Sequence, residues 1–131
     1  MTEAFQTRAL GAEADVIAPD GSEVRVLSAS SRGSMAHFRL PVGAVSKAVK
    51  HRSVEELWFF TGGEGEMWRK ANGVEESVPV RPGASISIPV GTAFQFRASA
   101  TAPLEAVAVT MPPWPGMDEA IPVEGIWAPT A

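Results

Sequence analysis

His51 and Glu56 are the residues of this chain whose types and spacing most directly suggest a reaction. An imidazole titrates near pH 6.5, so it can take or give a proton at neutral pH, and a carboxylate beside it can orient the ring. Such a pair suits proton abstraction or transfer. The chain has no cysteine and no tyrosine, which removes disulfides, thiolate ligands, a Cys nucleophile and phenolic acid/base chemistry. No Gly-flanked nucleophilic Ser, no His-Glu-x-x-His and no dinucleotide fingerprint occurs, so the common hydrolase and dehydrogenase routes have no support. Gly62-Gly63-Glu64-Gly65 lacks a following Lys-Ser or Lys-Thr and reads as a turn between strands, not a phosphate loop.

The elements that must position this pair are strands. Short runs rich in Val, Ile, Phe and Trp recur between Gly, Pro and Asn-Gly punctuation, which predicts an all-β sandwich or barrel. Strands are expected near 23–30, 34–40, 45–51, 56–61, 64–70, 74–80, 84–88, 93–99 and 104–111. The clearest hairpin joins GEMWRK to VEESVPV through Ala71-Asn72-Gly73, because Asn-Gly supplies the positive φ angles of a tight turn. Alternation then fixes the faces: if His51 points inward so do Val49 and Lys47, and if Glu56 does so do Trp58 and Phe60, with Leu57 and Phe59 outward. Phe94 inward carries Phe96 with it and leaves Gln95 outside.

At 131 residues the chain fits one domain with a real core. The expected division is an N-terminal arm over 1–22, a barrel over 23–111 and a Pro/Trp-rich arm over 112–131, too apolar to be a free tail. That last segment is expected to close the barrel mouth, cross to a partner subunit or pack on its own barrel. A net charge of −4, with 11 basic residues scattered along the chain, gives no electrostatic footprint for nucleic acid or anionic lipid. With no signal-like start and no run of ~20 apolar residues, the expectation is a soluble cytoplasmic protein with neither nucleic-acid nor membrane partners.

The frame Gly43, Val49, His51, Glu56, Gly63 and the later Gly83, Pro89, Gly91, Phe94 resembles the two motifs of the cupin family, whose members hold a metal with three His and one Glu inside a small jelly-roll-like β-barrel. The resemblance covers about residues 34–111 and implies a single cupin domain. It also exposes a departure, since Val49 and Phe94 stand at two of the histidine positions. What remains is His51 and Glu56, with His37 as a possible third ligand from outside the motif. The cofactor expectation is therefore either none or a divalent transition metal.

In some cupins acting on small acids, such as the oxalate decarboxylases, a pocket Arg lies four residues before the first glycine, which implies that Arg39 faces inward, together with His37 and Met35. The implied interior is Met35, His37, Arg39, Lys47, His51, Glu56, Trp58, Phe94 and Phe96: a mostly apolar cavity with a few convergent polar groups. The leading expectation is binding of a small organic molecule, with metal-independent acid/base chemistry of the lyase or isomerase type on a small carboxylate, sugar or aromatic metabolite. In it His51 is the acid/base, Glu56 its partner and Arg39 the anion anchor, with Lys47, His37, Trp58, Phe94 and Phe96 binding the ligand. The alternatives are a metal-dependent dioxygenase or isomerase using His51 and Glu56, and a non-catalytic sensor or structural dimer. Cupins commonly dimerise by sheet-to-sheet contact, so a homodimer is implied as well.

Overall fold

The computed structural model describes residues 4–131 as two antiparallel sheets packed face to face. The first sheet has the order β1-β2-β3-β10-β5-β8, with β1 Val16–Ile17, β2 Glu23–Ala29, β3 Ser34–Leu40, β10 Leu104–Met111, β5 Glu55–Gly62 and β8 Ser85–Ile88. The second has the order β11-β4-β9-β6-β7, with β11 Ala120–Pro122, β4 Val49–His51, β9 Ala93–Ala98, β6 Gly65–Ala71 and β7 Val74–Val80. This is the jelly-roll arrangement, although the sheets do not close into a strict barrel. The only helical element among the described residues is a 3-10 turn, Met117–Glu119, and no helix is long and apolar enough to cross a membrane.

The hairpin between β6 and β7 forms through Asn72 and Gly73, both at positive φ (50° and 77°), as the Asn-Gly pair requires. Three elements differ from expectation. The segment before β4 is irregular: only Val49–His51 is strand, and Val45 makes a single bridge to Arg97. β1 and β11 are short additions on the sheet edges, each too brief to leave a periodic signal.

The core explains why the sheets hold together. β10 lies between β3 and β5 and turns Ala106 and Ala108 inward, opposite Phe38 and Trp58 respectively. Two methyl side chains leave room above β10 for the flanking rings, and Phe38 and Trp58 stack there at 5.0 Å, 3° from parallel. From the facing sheet, Phe94 and Phe96 meet Trp58 edge-on at 6.1 and 5.2 Å. Each of these side chains contributes about 1.5–3 kcal/mol through burial, so this aromatic cluster is the main apolar tie between the layers.

The outward face of the six-stranded sheet is different. Leu57 and Phe59 are 54% and 52% exposed, as alternation along β5 demands. Cross-strand neighbours Met35, Val107 and Val109 extend the same apolar face.

The arm over 112–131 takes two of its expected paths. Pro113, Trp114, Met117 and Ala120 reach the mouth between the sheets, whereas the stretch from Val123 onward runs outside the second sheet. Gln95 fastens that outer stretch. Its Nε2 donates to Ser46 O (2.9 Å) and Trp127 O (2.8 Å), while its Oε1 accepts from the amides of Ile126 (3.0 Å) and Trp127 (3.1 Å). Gln95 does face outward from the barrel, as predicted, but the arm buries it completely.

Candidate functional site

Between the sheets lies a cavity of about 380 Å³. His51, at the end of β4, and Glu56, near the start of β5, face into it together with Val49, Trp58 and Phe94. The register of each strand explains the grouping: Val49 is paired with Phe94 across β4 and β9, and Glu56 precedes Trp58 by one full pleat.

Glu56 is 3% exposed, and both its oxygens are engaged. Trp58 Nε1 donates to Oε1 at 3.0 Å and Thr110 Oγ1 donates to Oε2 at 2.5 Å. Burial pushes the Glu56 pKa above its ordinary value, against the opposing effect of these two hydrogen bonds. His51 is held by rings, with Phe94 edge-on at 5.3 Å and Trp114 at 5.2 Å. Burial lowers the His51 pKa, partly offset by Asp20 and Glu119, so the resting imidazole is neutral at neutral pH. Its Nδ1 lies 3.9 Å from Glu56 Oε1, beyond hydrogen-bond distance, and is buried with no partner. An orphaned ring nitrogen next to a raised carboxyl is a configuration that a bound ligand can complete.

The wall also contains an acid that periodicity cannot reveal. Asp20 is buried and lines the same cavity. It sits in the turn before β2, where Gly21 adopts φ +93° and Ala131 packs so closely that a Cβ on Gly21 would meet it at 2.7–2.8 Å. Ser22 donates both its amide (2.9 Å) and its hydroxyl (2.6 Å) to Asp20 Oδ1. Burial raises the Asp20 pKa; the Ser22 hydrogen bonds oppose this and the neighbouring Glu56 adds to it. Pro19-Asp20-Gly21 announces a turn in the sequence, but nothing local shows that the turn folds over the cavity. Phe38, Thr110 and Trp114 are further wall residues that the inward set expected from sequence does not contain.

Several expected site residues lie elsewhere. In β3 the inward residues are Ala36, Phe38 and Leu40, so His37 and Arg39 occupy the opposite face and the inward anchor at Arg39 is corrected by one residue. His37 is buried there with Nε2 3.1 Å from Glu105 Oε1, and burial lowers its pKa. Arg39 pairs with Glu23 at 3.1 Å. Met35, although it touches the cavity rim, is exposed. Lys47 is exposed because the irregular backbone before Val49 breaks the two-residue period. Phe96 is core, packed edge-on against Trp58 instead of lining the cavity.

The donor set does not fit a cupin metal. Val49 and Phe94 present hydrocarbon at two ligand positions and His37 points away, which leaves His51 and Glu56 as the only donors of the motif. Among the described residues no three His, Cys, Asp or Glu side chains converge on one point, and three protein ligands are the usual minimum for a catalytic centre.

A family model described as "Cupin domain" matches residues 36–110. No curated protein sequence matches the chain. Among solved structures, a variant of Streptomyces PAC13 with uridine has a TM-score of 0.69 at 14% identity, covering 93% of this chain and 95% of that one. KdgF from Halomonas sp. has a TM-score of 0.62 at 14% identity, covering 84% and 88%. A cupin protein from Bacteroides fragilis has a TM-score of 0.63 at 19% identity, covering 85% and 86%. At such identities these structures speak for the fold alone, but the family model spans more than half of the chain, and with the jelly-roll sheets and the surviving His and Glu of the motif it places the protein in the cupin family.

Proposed function

We propose that this cupin binds a small organic molecule between its sheets and moves a proton on it without a metal, His51 serving as acid/base and Glu56 as its partner. The observation that carries this reading is His51 Nδ1, buried and unpartnered beside the cavity and 3.9 Å from a buried carboxyl. A neutral imidazole can accept a proton from a ligand C–H or O–H, and the Glu56 carboxyl, whose pKa burial raises, can return one to another ligand atom. Aromatic and aliphatic walls exclude water from the exchange. The metal-dependent alternative lacks donors, and the carboxylate part of the expectation lacks its anchor, because neither Arg nor Lys lines the cavity.

Uridine, the compound named with the PAC13 structure, is a suitable first probe, having a planar base, a hydroxylated sugar and no charge. Trp58 and Trp114 line the cavity, so their fluorescence reports occupancy. With ligands found this way, at concentrations that saturate each protein, exchange of ligand C–H protons with deuterated solvent is expected to fall at least ~100-fold in His51→Ala. Equal exchange by both proteins would sink the assignment.

The same reading includes a homodimer. Leu57, Phe59 and Met35 form an exposed apolar face on one sheet, with the half-buried Val109 beside them, where a two-fold axis would bring the face onto itself. Light scattering should give twice the chain mass, and Phe59→Glu should reduce it to that of one chain. A monomer before substitution would refute this.

A further inference from the structure

The charge balance of the cavity narrows the ligand class, given the reading above that the cavity is the ligand site. Two carboxyl groups, Asp20 and Glu56, face one apolar space. Buried carboxylates are stable only when paired with positive charge or protonated. The cations that might have paired with them are placed elsewhere: Arg39 on Glu23, Arg25 on the carbonyls of Gly11 and Ala12, Lys47 exposed on the surface. His51 supplies no charge, since burial keeps it neutral at neutral pH.

A second, independent feature points the same way. His51 is 6% exposed, and its orphaned Nδ1 is an acceptor site in one tautomer of the neutral ring. Around these groups stand Phe38, Trp58, Phe94 and Trp114, and aromatic walls attract cations through their ring quadrupoles. We propose that the cavity takes an organic cation, an ammonium or amidinium on an apolar or aromatic body, paired with Asp20 and Glu56 and donating a hydrogen bond to His51. A cation entering the cavity supplies the counter-charge that the wall lacks. An anion would face two acids and no partner.

Three planar probes of nearly equal size separate charge from shape: benzamidine, a cation; benzamide, neutral; and benzoate, an anion. Calorimetric titration at pH 8 is expected to rank them in that order, with benzamidine at least about tenfold tighter than benzamide. Asp20→Asn and Glu56→Gln, each checked for an unchanged fold by circular dichroism, should each cut that preference about tenfold. Benzamide or benzoate binding as tightly as benzamidine would overturn the cation assignment alone. Preference unchanged in both variants would remove Asp20 and Glu56 as its cause. Absence of binding by all three would overturn the assignment together with the ligand-site reading on which it rests.

Discussion

Replacing Gln95 with Leu is expected to destabilise the fold by about 3 kcal/mol, a drop in thermal midpoint of roughly 10 °C, and to free the chain beyond Val123 from the second sheet. Leu is similar in volume but offers none of the four hydrogen bonds that the amide makes to Ser46, Ile126 and Trp127. The Ser46 carbonyl would stay buried without that donor, which costs more than a lost hydrogen bond at the surface. The tail could regain its own hydrogen bonds only by leaving for water. Gly125 packs directly on the Gln95 side chain, so the tail fits this residue in shape as well as in polarity. Melting curves and hydrogen exchange of residues 126–131 test the claim together: an unchanged midpoint with protected tail amides would refute it.

Glu56→Gln should act in the opposite direction on stability. The Glu56 pKa is raised in the folded protein from an ordinary value of 4.5. The folded state therefore keeps a proton that the unfolded chain releases as pH rises, and stability declines through the window above pH 4.5. Gln cannot ionise, and it can still accept from Trp58 Nε1 and donate to Thr110 Oγ1. The variant should match the parent near pH 4 and exceed it by about 1 kcal/mol at pH 8, roughly 4 °C in thermal midpoint, while proton transfer to the ligand is lost. Parallel stability curves across that range would show that Glu56 carries no burial penalty. Glu119 has the reverse sign. Burial acts to raise its pKa, but hydrogen bonds from Ser53 N, Ser53 Oγ and Val54 N outweigh this and lower it. Its contribution is present above the unfolded value and lost as pH falls through the folded one, which limits the acid end of both curves.

The strand pattern was legible because two-residue alternation and Asn-Gly punctuation are local properties. The pair His51 and Glu56 was legible for a related reason, each lying on a strand whose inward parity the motif fixes. Arg39 shows where such reasoning fails. Alternation within Ser34–Leu40 alone favours Ala36, Phe38 and Leu40 as the buried face, and the family anchor at Arg39 contradicted it; the chain follows the apolar pattern, with Phe38 stacked on Trp58. Lys47 failed differently, because parity holds only inside a strand and β4 begins two residues later. Asp20 and Trp114 reach the cavity through a turn and an arm, whose paths depend on contacts distant in sequence: Ala131 against Gly21, and Ser34 Oγ accepting from the Trp114 amide at 3.0 Å. No periodicity encodes such contacts.

The arm segment over the mouth is tied at both ends. Trp114 is fastened to β3, and Glu119 grips the turn before β5 just where β11 joins the ladder beside His51. Only the short bow between these anchors, carrying the half-exposed Met117, is free to move without breaking strand pairing next to the imidazole. Any widening of the mouth that keeps both anchors and this strand pairing must therefore come from the bow around Met117.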